Sequence, residues 1–152
     1  MKRSAKILII DDDESIRKVL ASILQDKGYE ADTAKDGEEA IKKAKNNFYN
    51  LALIDIRLPD MEGIELLNKL KDSTPKMVKI ILTGYPSLDN AIDAVNRGAD
   101  GYLIKPVNVS VLNEKIEEHL KKQEEAMKYS EDKVAQFIET RARQIGHTPK
   151  VH

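Results

Sequence analysis

Short apolar runs alternate with amphipathic segments along most of the chain. Runs at 6–10, 51–55, 78–83 and 101–105 are apolar almost throughout, and the run at 29–34 alternates between apolar and polar residues. The segments between them place apolar residues every three or four positions, which is the stripe of a helix. The first stripe consists of Ile16, Val19, Leu20, Ile23 and Leu24. The pattern predicts five strands that alternate with five helices.

The spacing also predicts where the helices lie. The first ends near Gly28, the second covers 36–45, the third covers 62–71, the fourth runs from about 88 to just before Gly98, and the last begins near Asn108. Glycine is common just beyond the end of a helix. Unbroken apolar strands separated by helices indicate a parallel sheet that is covered on both faces. The fold class is therefore predicted as α/β with a doubly wound parallel sheet.

Polar residues follow these strands at their carboxyl ends, which is the edge where such sheets bind ligands. The residues at the ends of four strands are Asp11, Asp12 and Asp13, then Asp55, then Thr83 with Gly84, and finally Lys105 with Pro106. The carboxyl ends of parallel strands meet at one edge. We therefore expect acids, a hydroxyl group and an amine to converge there.

Each of these groups has a chemical use at such an edge. Clustered carboxylates repel one another unless a cation joins them, and oxygen ligands without His or Cys favour Mg²⁺, or Mn²⁺, over zinc or copper. An aspartate beside the metal can attack a phosphoryl group and form an acyl phosphate. Lys105 and the Thr83 hydroxyl can contact the phosphoryl oxygens, and Gly84 leaves room for the group. The pattern predicts that Asp55 is the residue modified.

Composition limits the partners and the chemistry. The 25 basic and 26 acidic side chains nearly cancel, so the net charge of −1 favours neither nucleic acid nor a membrane surface as a partner. The absence of cysteine excludes disulfides, Cys-ligated zinc and thiol catalysis. No segment approaches the ~20 apolar residues that span a bilayer. We expect a cytoplasmic protein.

The segments "ILIIDDDESIRKVL", "LALIDIRLPDMEGIELL", "IILTGY" and "GADGYLIKPV" resemble the receiver domain of two-component response regulators. The resemblance covers residues 5–121 and implies the flavodoxin-like fold with strand order 2-1-3-4-5. It also implies a role for each matching residue: Asp11 and Asp12 as the acidic metal pair, Asp55 as phosphoacceptor and metal ligand, the Arg57 backbone carbonyl as a further metal ligand, Thr83 as switch hydroxyl, Lys105 as phosphate contact, Tyr102 as aromatic switch, and a cis bond before Pro106.

The resemblance implies that Asp55 takes a phosphoryl group from a sensor histidine kinase or a phosphotransfer domain, with Mg²⁺ bound. The surface formed by residues 88–120 would then change shape and bind a downstream protein. The chain would not be an enzyme beyond catalysing its own phosphorylation and dephosphorylation. The positions of Arg57 and Tyr85 tune phosphoryl hydrolysis in this family, and bulky side chains there are expected to slow it.

Other interpretations of the same residues stay open. Asp13 can be a helix N-cap, and Tyr102 can be an ordinary core residue. "ILIIDDDES", followed later by "IILT" and Lys105, also resembles the first three motifs of haloacid dehalogenase-type phosphatases, with Asp11 as nucleophile and Asp13 as acid. That interpretation lacks a later acidic pair and leaves Asp55 without a role. A pseudo-receiver that binds partners without phosphorylation is the third possibility, and it usually lacks one of the site residues.

Residues 122–152 extend beyond the resemblance and are predicted to continue the last helix. Leu120, Met127 and Val134 are seven residues apart, Ile138 and Ile145 lie on the neighbouring seam, and Gly146 and Pro149 end the pattern. The extension could form a homodimeric coiled coil, link to an output domain, or remain a solvated helix.

Overall fold

The computed structural model describes residues 4–145, and its elements alternate as the sequence predicts. They are β1 (Lys6–Ile10), α1 (Glu14–Asp26), β2 (Glu30–Ala34), α2 (Gly37–Asn46), β3 (Leu51–Asp55), α3 (Gly63–Leu66), β4 (Val78–Thr83), α4 (Leu88–Asn96), β5 (Gly101–Ile104) and α5 (Val109–Ile145). The predicted fold class and the five-strand, five-helix composition are confirmed.

The five strands form one parallel sheet in the order β2-β1-β3-β4-β5. Successive side chains of a strand point to opposite faces, so each face has its own core. Ile7 and Ile9 pack with Leu24 and Leu112 on the face of α1 and α5, whereas Leu8 belongs to the core with α2, α3 and α4. The strand order reverses between β1 and β3, and this places the ends of those two strands side by side at a crevice.

Helix α3 is shorter than the sequence predicts. The pattern predicts a helix over 62–71, but α3 ends at Leu66 and the chain continues in turns. The buried Lys79 side chain donates a hydrogen bond to the Leu67 carbonyl at 2.7 Å. In a continued helix that carbonyl would accept from the backbone of Lys71. The predicted helix thus ends where this long-range contact forms.

The chain divides into two compact units, with the boundary between Leu120 and Lys121. The described part of the second unit is helical to Ile145, and Gly146 and Pro149 lie outside the described residues. Its large apolar side chains are mostly exposed, among them Val134, Phe137 and Ile138. Among the described residues, no helix is long and apolar enough to cross a membrane.

Candidate functional site

Three carboxylates meet at the carboxyl ends of β1 and β3. One oxygen of each of Asp11, Asp12 and Asp55 lies within 4.8 Å of the others. Asp11 is buried, Asp55 is partly buried, and Asp12 is exposed to solvent. The pairing of β1 with β3 aligns Ile10 with Ile54, and this sets the two following acids next to each other.

The Lys105 ammonium group enters the same cluster from the end of β5. Its Nζ lies 2.8 Å from Asp11 Oδ2 and 3.5 Å from Asp55 Oδ1. The Lys105 backbone N–H donates to the Thr83 carbonyl at 2.7 Å, which fixes its position beside β4. The Lys105–Pro106 peptide bond is cis. Four separate strands thus contribute to one pocket.

The electrostatics of the pocket favour a further cation. Burial raises the pKa of Asp55 above its ordinary value, the nearby Asp11 carboxylate raises it further, and the Lys105 ammonium only partly opposes the shift. Burial lowers the pKa of Lys105, but its hydrogen bond to Asp11 and the two carboxylate charges outweigh burial and raise it. One ammonium group therefore faces three carboxylates, and a divalent ion would relieve the remaining repulsion.

The donor set fits Mg²⁺ or Mn²⁺. All three carboxylates supply oxygen, as hard cations prefer, and the cluster contains neither His nor Cys. Asp11 and Asp12 follow β1 directly, and Asp55 ends β3, so the strands position the three carboxylates. The Arg57 N–H lies 3.4 Å from Asp55 Oδ1, so the Arg57 peptide group also borders the cluster.

The residues after β4 form the other rim of the pocket. Thr83 is buried, and its Oγ1 accepts a hydrogen bond from the Tyr85 N–H at 2.9 Å. A Cβ placed on Gly84 would meet no atom within 4 Å, so the backbone there is open to an approaching group. The Arg57 guanidinium lies over the Tyr85 ring, with 4.4 Å between its central carbon and the ring centroid. This contact joins the loop that follows β3 to the loop that follows β4.

Tyr102 and Asp13 lie beside the pocket and differ from the residues in it. Tyr102 is partly buried against the core on the α4 side, and its hydroxyl is buried without a hydrogen-bond partner among the described residues. Asp13 accepts a hydrogen bond from the Ile16 N–H at 3.2 Å and is the N-cap of α1. Asp13 therefore has a structural function that does not require a metal ion.

Sequence reasoning did not identify the residues that shape the loop after Asp55. A Cβ on Gly63 would lie 2.1 Å from the Asp55 carbonyl oxygen, so only glycine fits against the end of β3. The Asp60 carboxylate accepts hydrogen bonds from the Gly37 and Glu38 N–H groups, and these bonds, with that of Gly37 foremost, lower the pKa of Asp60. The Pro59-Asp60 turn and Gly63 are visible in the sequence. The residues that they contact are not.

The domain is doubly wound, and its carboxyl edge carries a lysine and an acid cluster that suits a metal ion. This is the architecture of a phosphoryl-accepting signalling module. The family model described as "Response regulator receiver domain" matches residues 7–117. The chain therefore belongs to the response regulator receiver domain family. Receiver domains accept phosphoryl groups from histidine kinases, and some of them dimerise.

Individual solved structures resemble most of the chain. A response regulator receiver domain protein (CheY-like) from Methanospirillum hungatei is 48% identical, with a TM-score of 0.78, over 82% of this chain and 99% of that one. A response regulator from Burkholderia pseudomallei, solved with a phosphorylated aspartic acid, calcium ion and citrate, is 36% identical with a TM-score of 0.68, over 72% of this chain and 64% of that one.

Curated relatives are longer proteins. The transcriptional regulatory protein ZraR from Klebsiella oxytoca is 38% identical over 114 residues, which is 75% of this chain but 26% of that protein. The chain thus spans about a quarter of the length of this relative. What it shares with ZraR is the receiver region.

Proposed function

We propose that this chain is a phosphoacceptor receiver in which Asp55 takes a phosphoryl group from a sensor histidine kinase or a phosphotransfer domain. The observation that carries the proposal is the convergence of three carboxylates within 4.8 Å with the Lys105 ammonium 3.5 Å from Asp55. Asp11, Asp12, Asp55 and the Arg57 carbonyl would hold Mg²⁺, which would neutralise charge on the transferring oxygens when bound. The receiver domain is assigned to residues 5–121.

The chain's own residues would guide the transfer. A carboxylate oxygen of Asp55 attacks phosphorus, the bond from phosphorus to the donor nitrogen breaks, and the imidazole leaves with that electron pair. Lys105 is placed to contact the transferred group, since its Nζ already lies near Asp55. The Thr83 hydroxyl, now accepting from Tyr85, can donate to a phosphoryl oxygen.

The rival interpretations explain fewer of these contacts. A phosphatase of the haloacid dehalogenase type would use Asp11 as nucleophile and would need a further acidic pair after Lys105, which residues 106–112 do not supply. It would also leave the partly buried Asp55 without a task. A pseudo-receiver has no need for the complete set of acids, Thr83 and Lys105. A receiver that is phosphorylated uses all of them.

An apolar groove beside the pocket supports a protein as the phosphoryl donor. The groove has a volume of about 510 Å³, and Lys105 and Pro106 line it together with apolar side chains of α1 and the start of α5. Val19 is among them and is more than half exposed. Lys105 lines the groove and also lies 3.5 Å from Asp55, so a donor protein bound in the groove would lie near the acceptor. The groove is its proposed docking surface.

The output surface is proposed on residues 88–120. Apolar side chains are exposed there, among them Leu88, Ile92, Val95 and Ile104. Phosphorylation adds about two negative charges, and we propose that Thr83 turns toward the phosphoryl group while Tyr102 fills the vacated space. The buried Tyr102 hydroxyl supports such a change, because a polar group left without a partner favours a rearrangement. A downstream protein would bind the altered surface.

The extension at 122–152 is proposed as a helical linker or dimerisation segment. The described part is helical, with exposed apolar residues that include Tyr129, Val134, Phe137 and Ile138. An isolated helix with an exposed apolar stripe is marginal in water, so a second copy or an output domain would stabilise it.

The cytoplasm, where sensor kinases phosphorylate their regulators, is the proposed location.

Beryllofluoride, which mimics a phosphoryl group on a carboxylate, tests the site and the assembly together. We expect the full chain to bind it only with Mg²⁺, as a new ¹⁹F NMR signal. Light scattering on the same sample measures the mass with and without the complex. A Mg²⁺-dependent signal supports the proposed site, and its absence contradicts it. A doubled mass supports phosphorylation-linked dimerisation, and an unchanged mass contradicts it.

The stacked Arg57 and Tyr85 side chains are expected to slow phosphoryl hydrolysis, because they border the acceptor from both rims. We expect the two side chains to separate before water reaches the phosphoryl group; separating an exposed cation–π pair costs about 0.5–1 kcal/mol, so its removal should speed hydrolysis about two- to fivefold. Arg57→Ala and Tyr85→Ala should each show this increase when phosphoryl decay is followed by mass spectrometry. Tyr85→Phe keeps the ring and should decay at the original rate. Equal rates in all four proteins would refute this role.

A further inference from the structure

The loop that follows the phosphoacceptor is bound to helix α2 by one side chain. Asp60 lies in this loop, residues 56–62, and its Oδ1 accepts the Gly37 N–H at 2.9 Å. Its Oδ2 accepts the Glu38 N–H, also at 2.9 Å. Asp60 is exposed, and its carboxylate makes two charge-assisted hydrogen bonds at the positive end of the helix. The contact joins two segments more than 20 residues apart.

Helix α2 already has a cap of its own. Asp36 is its N-cap, and the Asp36 Oδ1 accepts the Glu39 N–H at 2.8 Å. The first three helical N–H groups are thus shared between a local acid and a distant one. A local cap stabilises a helix by about 1 kcal/mol, but it has no effect on another loop. Unlike the Asp36 cap, the Asp60 contact therefore also restrains the loop that carries Asp60.

The same loop is closed on itself and packed on α2. The Gly63 N–H donates to the Ile56 carbonyl at 2.7 Å, and the Leu58 N–H donates to the Met61 carbonyl at 3.1 Å. A Cβ on Gly37 would lie 2.4 Å from the Met61 sulfur, so Met61 covers the start of α2. A shift of Asp60 away from α2 would therefore displace the closed loop as a unit.

Arg57 lies in this loop, two residues after Asp55 and three before Asp60. Its N–H, which belongs to the preceding peptide group, lies 3.4 Å from Asp55 Oδ1, so the phosphoacceptor borders one side of Arg57. The closed loop and its Asp60 contact hold the other side. A metal ligand must keep its distance to the ion within a few tenths of an ångström, and the partners that orient ligands contribute to affinity.

We propose that Asp60 is a positioning residue of the metal site, which holds the Arg57 carbonyl in place by fixing the loop to the first turn of α2. The inference rests on the proposed function, since it takes the Arg57 carbonyl as a Mg²⁺ ligand. Asp60 itself binds neither metal nor phosphoryl group. It acts through the backbone of the loop.

A matched pair of variants tests the proposal in the full chain. Asp60→Ala removes the contact between loop and helix, whereas Asp36→Ala removes the local cap of the same helix. Isothermal titration with Mg²⁺ should show about tenfold weaker binding for Asp60→Ala, in the range for partners that orient ligands. Asp36→Ala should bind Mg²⁺ within about twofold of the original protein, although both variants lower the melting temperature.

Amide hydrogen exchange of the metal-free proteins gives a second readout. Asp60→Ala should speed exchange in residues 56–62, and Asp36→Ala should not. Asp60→Asn keeps one acceptor oxygen and should restore part of the Mg²⁺ affinity.

Two results would overturn the proposal while leaving the proposed function intact: Mg²⁺ affinity unchanged in Asp60→Ala, or weakened equally in Asp36→Ala. If the original protein binds no Mg²⁺, the proposed metal site fails, and the positioning role fails with it.

Discussion

Asp55→Asn is expected to abolish phosphorylation while leaving the protein folded. Asparagine has nearly the same shape, but its amide cannot act as the nucleophile that forms an acyl phosphate. Incubation with acetyl phosphate and Mg²⁺, followed by intact-protein mass spectrometry, should show one added phosphoryl group in the original protein and none in the variant. Asp13→Asn is the control, because it removes the same charge from a residue that caps α1 and should be phosphorylated normally.

The stability of Asp55→Asn gives a second, pH-dependent result. The pKa of Asp55 is raised in the folded protein, first by burial and then by Asp11, so its ionised form is disfavoured there. Ionised Asp55 therefore destabilises the fold above the pKa of an unfolded aspartate, 3.8. The variant should be more stable near neutral pH, and its advantage should vanish as the pH falls below that value. Urea unfolding at several pH values measures this difference in stability. In the phosphorylation experiment, modification of Asp55→Asn at the original level would contradict the assignment of Asp55 as phosphoacceptor.

Asp12→Ala is expected to weaken Mg²⁺ binding by about a hundredfold, because a ligand contributes at least as much as the partners that orient it. Asp12 is exposed and lies in the cluster of three carboxylates, so its removal deletes a negative charge without opening the core. Since Asp12 is exposed, the same change should leave the melting temperature of the metal-free protein within about 2 °C of the original value.

Thermal unfolding with and without Mg²⁺ measures both effects. The original protein should gain stability with Mg²⁺, because a ligand that binds the folded state stabilises it, and Asp12→Ala should gain almost none. Asp13→Asn should respond as the original does. If Asp12→Ala gained as much stability from Mg²⁺ as the original protein, Asp12 would not be a ligand.

The sheet and its acidic edge are predictable because their signals are local. The apolar run that ends on Asp55 marks a strand, and the rule that parallel strands end at one edge places Asp55 near Asp11. Lys105 follows from the same rule, and the structure places its Nζ near both acids. Such patterns need no knowledge of individual side-chain contacts.

The features that sequence missed depend on contacts between distant segments. The predicted third helix stops at Leu66, and the next carbonyl, that of Leu67, accepts a hydrogen bond from Lys79 on β4. The contact of Asp60 with α2 crosses more than 20 residues and leaves no periodic trace. The Tyr102 hydroxyl has no hydrogen-bond partner within residues 4–145, and this too is a property of packing. Local patterns therefore identify the chemical groups of the site, whereas packing decides what holds them.

Locating the phosphorylated residue tests the central claim most directly. Borohydride reduces an aspartyl phosphate to homoserine, which peptide mass spectrometry assigns to one position. After treatment with acetyl phosphate and Mg²⁺, we predict homoserine at position 55 and none when Mg²⁺ is removed. Homoserine at position 11 would indicate the phosphatase interpretation instead. An unmodified Asp55 in protein that binds Mg²⁺ would contradict the phosphoacceptor role.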